Sequence, residues 1–141
     1  MFETQEEMEA FIGTFEACSL PKPHWTHHAH LVVGLWYLSR HSPDEALRVV
    51  RQRIRAYNEA TGTANTDSSG YHETLTRFFL LGIQAHRIQH PCQPLPAVLA
   101  LLLQSPMAEK EYPLRFYSRE CLLSAAARQA WVEPDIMGWQ P

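Results

Sequence analysis

Four of the eight histidines, His24, His27, His28 and His30, fall within seven residues of one another. About forty residues later a second polar knot, Gly70-Tyr71-His72-Glu73-Thr74, opens another helical stretch. Imidazole is the commonest protein metal ligand, and a neighbouring carboxylate often completes or orients such a site. The two knots together point to a divalent metal ion. His27, His30 and His72 are its candidate ligands, and Glu73 is either a fourth ligand or a base acting on metal-bound water. A three-nitrogen face with one open position is the pattern of catalytic rather than closed structural sites.

Spacing selects among the histidines. With Thr26 as helix cap, His27 takes the first helical position and His30 the fourth, so the pair projects from one face. Zinc, nickel, iron or manganese accepts such imidazoles at about 2.0–2.2 Å. A helix N-terminus also disfavours the charged imidazolium, which keeps both rings ready to coordinate. His24 and His28, four apart, form a competing pair. His24, however, precedes the cap, and His28 points about 100° away from His27. A lone histidine is usually only part-buried and satisfied by a hydrogen bond, so the clustering carries the reading.

The second knot leaves two readings open. If Gly70 caps the helix, Glu73 occupies the third helical position, where a carboxylate suits the helix dipole without any chemistry. Alternatively Glu73 and Tyr71 are catalytic, with Tyr71 donating to a bound anion and Arg77 touching a substrate. His86 and His90 lie about 21 Å or more along the same helix from His72 and cannot join it. His41, at a helix C-terminus, is structural.

These side chains must be positioned by helices. Apolar residues recur three and four apart at Met8, Phe11, Ile12, Phe15 and Cys18, predicting a helix from Glu3 to Cys18 that Pro21 and Pro23 end. The next runs from His27 to about His41. Ser42-Pro43-Asp44-Glu45 starts a third, reaching about Ala60 with Ala46, Leu47, Val50, Ile54 and Tyr57 inward. The small polar stretch from Thr61 to Gly70 is a loop. A fourth helix spans Tyr71 to about His90, with Leu75, Phe78, Phe79, Leu81 and Ile83 toward the core. Pro91, Pro94 and Pro96 make a rigid connector to a short helix from Ala97 to Gln104. Ser124 caps a last helix, Ala125 to Trp131, before an extended tail. The state of Leu114 to Tyr117 is left open. No strand pattern is present, so the expectation is an all-α single domain of five to six helices over residues 1–141, bundle-like or orthogonal.

Composition narrows the function classes. The 141 residues, 45% hydrophobic and 19% charged, suit one soluble globular domain. Twelve basic residues against fifteen acidic ones give a net charge of -3, without the basic stripe that nucleic-acid binding needs. The densest basic stretch, Arg48 to Arg55, alternates with apolar residues and reads as the solvated side of a helix. Three widely spaced cysteines, Cys18, Cys92 and Cys121, indicate neither a disulfide framework nor a thiolate site; each is expected to be a small buried hydrophobe. The acidic N-terminus lacks a secretory signal pattern, and no apolar run spans a bilayer, so a cytoplasmic location is expected. Trp36, Tyr37, Trp131 and Trp139 are aromatics that could bury a homodimer face.

Several motifs act together. Thr26-His27-x-x-His30-Leu31, Gly70-Tyr71-His72-Glu73-Thr74-x-Thr76, Tyr117-Ser118-Arg119 and Ala127-Arg128-x-x-Trp131-Val132-Glu133-Pro134-Asp135 resemble a family of small, uncharacterised bacterial proteins of all-helical type. The resemblance covers the chain from about His24 to Asp135. It implies that His27, His30, His72 and Glu73 form one set; His24 and His28 are additions to the minimal motif. A looser similarity links the pattern to helical bundles that hold a metal with three histidines. Two expectations follow for function. One is a metal-dependent enzyme acting on a small molecule; the other is a metal-free small-anion-binding or interaction module that uses the helix ends.

Overall fold

Most helices of this chain begin where one side chain satisfies the first free N–H groups of the turn. Thr4, Thr26, Ser42, Ser118 and Ser124 each accept a bond from the backbone N–H three residues on, and so does His72 through its ring. In the computed structural model, which describes residues 2–141, these caps open α1 (Gln5–Glu16), α2 (His27–Leu38), α3 (Pro43–Ala60), α4 (Glu73–Gln89), α6 (Arg119–Leu122) and α7 (Ala125–Gln129). The remaining helix, α5 (Leu95–Leu102), starts after Pro94 without a side-chain cap. Three short 3-10 turns, Lys22–His24, Pro106–Ala108 and Tyr112–Arg115, complete the regular structure, and no strand occurs among the described residues. The protein is an all-α single domain, with seven helices among the described residues rather than the five or six expected.

α2 is the central element. Every residue from Leu31 to Leu38 is buried, the pattern of a helix apolar on all sides and enclosed by others. It packs against α1, α3 and α4. Trp36 and Tyr37 are therefore core residues, 5% and 4% exposed, and not parts of an association face. Close approach of α4 depends on Gly34, where a Cβ would stand 2.8 Å from Ile83 Cδ1. α3 follows its expected bounds and buries Ala46, Val50, Ile54 and Tyr57 against this core. In α4 the inward residue is Leu80, while Leu81 is 40% exposed. α5 lies against α1 and α4.

A smaller cluster of Phe78, Tyr117 and Leu122 forms under the C-terminal segment. The tail folds back over it. The Tyr117 hydroxyl donates to the Val132 carbonyl at 2.7 Å, and the Trp139 ring stacks on Phe78 with centroids 3.9 Å apart. Of the cysteines, Cys18 and Cys121 are partly buried, but Cys92 is exposed at a positive φ of 64°. That backbone belongs to the proline-rich turn between α4 and α5, where the chain passes over the surface. No helix among the described residues is long and apolar enough to cross a membrane.

Candidate functional site

The start of α2 holds two imidazoles by backbone carbonyls. His27 Nε2 lies 2.8 Å from the Met107 carbonyl, and His30 Nδ1 lies 2.7 Å from the Thr26 carbonyl. A carbonyl only accepts, so each of these nitrogens carries the proton and the opposite nitrogen carries the lone pair. The His30 ring also packs on Trp25 with centroids 3.8 Å apart, and His27 meets Phe79 at 4.8 Å. Loss of hydration lowers the pKa of both rings, and for His30 it reaches about 4. Lys110 adds to this by its charge, acting on both. His30 is exposed on the cavity wall and His27 is half-buried. The rings are neutral, as a helix N-terminus favours, although loss of hydration to the surrounding protein is the larger cause. His24 and His28 are exposed.

The start of α4 uses its polar residues differently. Gly70 is not the cap: its φ is 78°, and a Cβ there would stand 2.6 Å from the Ala64 carbonyl oxygen. Gly70 turns the chain against the 64–65 segment, Tyr71 N–H bonds to Asn65 Oδ1 at 2.9 Å, and His72 caps the helix. His72 Nδ1 accepts from Leu75 N–H at 3.1 Å, while Nε2 donates to the Leu122 carbonyl at 2.6 Å. Both ring nitrogens are thereby committed. Burial lowers this pKa as well, which preserves the acceptor at Nδ1.

Glu73 takes the first helical position instead of the third. Its carboxylate receives a two-point bond from Arg51, at 2.9 Å from Nε and 2.8 Å from Nη2, and a third from the Tyr71 hydroxyl at 2.7 Å. Burial alone would raise its pKa. The bonds from Arg51 and Tyr71 outweigh that and hold it below the ordinary carboxylate value. The Tyr71 phenol is pushed up, by burial first and by its bond to Glu73 second.

A cavity of about 760 Å³ opens between α2, α3, α4 and the segment around residues 110–123. Its inner surface is apolar, with Val50, Ile54, Leu80 and Ile83 buried at the bottom. His27, His30, His72 and Thr76 form polar points on its wall, and the exposed Lys110, Glu111 and Arg119 stand at its mouth. The three predicted histidines therefore share one cavity. Glu73 does not line it; with Arg51, Arg55 and Arg128 it lines a separate, smaller pocket of about 300 Å³. Tyr71 borders both pockets, and Arg77 sits instead over the Trp131 ring at 5.3 Å.

The anticipated ligand set is thus divided. His72 has no lone pair left to offer, and Glu73 is tied to Arg51 on the far side of Tyr71. Among the described residues no group of three or more His, Cys, Asp or Glu side chains stands where it could hold a metal ion. The nitrogens left open are Nδ1 of His27 and Nε2 of His30. Sequence reasoning missed Arg51, Met107, Trp25 and Lys110. Arg51 was visible only as part of a basic stretch, and Met107 acts through its backbone, for which the sequence carries no sign. No family model, curated protein or solved structure matches this chain, so its geometry alone supports a function.

Proposed function

We propose that this protein binds a small organic molecule in the cavity between α2, α3 and α4. The observation that carries the reading is the cavity itself, about 760 Å³ with an apolar bottom and two open, neutral imidazoles on its wall. Ligand sites are typically concave, mostly apolar, and furnished with a few placed polar groups. A fluorescent apolar probe such as naphthalene should bind with an emission change. Thr76→Phe, which projects bulk from a half-buried wall position, should abolish that change while helical circular dichroism persists. Equal probe binding by both proteins would refute the reading.

A second reading keeps a divalent ion, zinc, nickel, iron or manganese, at His27 and His30. Ligating imidazoles generally donate their other N–H to a carbonyl or carboxylate, and both of these rings do so. Two nitrogens would leave the remaining positions to water or to the bound molecule, which would give the metal-dependent chemistry expected above. Two imidazoles are fewer protein ligands than metal sites generally supply, which ranks this reading second. Elemental analysis of protein purified without a histidine tag tests it. Stoichiometric metal, lost in His27→Ala, would favour it over the metal-free pocket.

A further inference from the structure

We infer that the cavity selects uncharged apolar molecules carrying a hydroxyl group, with the hydroxyl donating to His30 Nε2. The inference rests on the ligand-pocket reading and gives it a chemical class.

Three groups of the cavity lining present acceptors with no proton left to give. His30 Nε2 bears a lone pair because Nδ1–H is committed to the Thr26 carbonyl. His27 Nδ1 bears one because Nε2–H is committed to the Met107 carbonyl. The Thr76 hydroxyl spends its proton on the His72 carbonyl at 2.8 Å, so it too presents an oxygen lone pair. A complementary ligand must supply donors.

Charge then narrows the class from both sides. A carboxylate against His30 Nε2 or His27 Nδ1 would set lone pair against lone pair. An anion would also leave water for an apolar bottom that, among the described residues, offers no buried cation beside it. An ammonium would find acceptors, but it too would leave water for an apolar bottom with no buried carboxylate beside it among those residues. A neutral O–H donor avoids both penalties. The apolar body is accommodated by Val50, Ile54 and Ile83 at the bottom. Lys110 and Arg119 at the mouth are exposed, where water screens them and an adjacent Glu111 offsets them.

The test is a matched series measured by fluorescence titration at pH 7: naphthalene, 2-naphthol, 2-naphthoate and 2-naphthylmethylammonium. The expected result is that 2-naphthol binds about tenfold more tightly than naphthalene, the worth of one good hydrogen bond. The two ions should bind more weakly than naphthalene. His30→Leu should bring 2-naphthol down to naphthalene, and His30→Gln, which retains an acceptor, should restore part of the difference. If naphthalene binds but 2-naphthol gains nothing, or either ion binds best, the hydroxyl class is overturned and the pocket stands. If naphthalene itself fails to bind, the pocket reading falls and this inference falls with it.

Discussion

The starts of α2 and α4 are built from the same residue types and behave in opposite ways. At α2 a threonine caps the helix, and His27 and His30 each spend one nitrogen on a carbonyl and keep the other. At α4 the histidine is the cap, and a second bond to Leu122 leaves it nothing to offer. The acid beside it is equally consumed, by Arg51 and Tyr71. A polar cluster at a helix start can therefore be a fastener or a receptor, and the number of uncommitted lone pairs decides which.

Mutation should separate the two roles. The largest effect is expected for Glu73→Ala, which strands Arg51 and the Tyr71 hydroxyl beside a buried hole. Breaking a buried ion pair costs about 3–5 kcal/mol, and the 39% exposure of the Arg51 side chain places this one near 3 kcal/mol in chemical denaturation. Gly70→Ala forces a side chain into positive φ against the Ala64 carbonyl and should cost about 2–3 kcal/mol by the same measurement. His72→Ala removes the cap and the Leu122 bond, with an expected loss of about 2 kcal/mol and a cavity that still takes the probe. His27→Ala and His30→Ala should each lower stability by about 1 kcal/mol or less while weakening ligand binding. If the α2 variants prove the more destabilising, the division into fastener and receptor is wrong.

Acid offers a way to address both starts together. His27, His30 and His72 all have folded-state pKa values below the ordinary 6.5. The unfolded chain therefore takes up protons first as pH falls, and their stabilising contribution is full above pH 6.5. It declines below that, and for His30 the decline ends near pH 4. Glu73, also depressed in the fold, continues the loss below its ordinary 4.5. Denaturation midpoints measured from pH 7 to pH 4 should fall steadily, with a shallower slope in His30→Gln. A flat profile would mean the rings are hydrated and ordinary.

Helices were legible in the sequence because capping residues and apolar spacing are local. Ser42-Pro43-Asp44-Glu45 placed the start of α3 correctly, and Thr26 that of α2. Ends were less legible: α2 stops at Leu38 and α1 at Glu16, each one turn or less before the spacing suggested. The gathering of His27, His30 and His72 around one space was also readable from their positions at helix starts. Their wiring was not. Whether an imidazole nitrogen is free depends on carbonyls such as those of Met107 and Leu122, 80 and 50 residues away. Glu73 went astray for a similar reason, since its partner Arg51 sits on another helix and reads locally as one solvated charge among several.

The cap of α4 has one further consequence. His72 joins the first turn of that helix to the end of α6, and the half of that link made inside α4 holds only while Nδ1 can accept. A proton there would set two N–H groups facing each other across a space that suits one. The repulsion acts within the first turn of α4, while the Nε2–H bond to the Leu122 carbonyl is kept. That turn should fray before the rest of the molecule melts. Amide exchange at mildly acidic pH would then advance first at Leu75 and its neighbours, making one imidazole a latch on the start of its own helix.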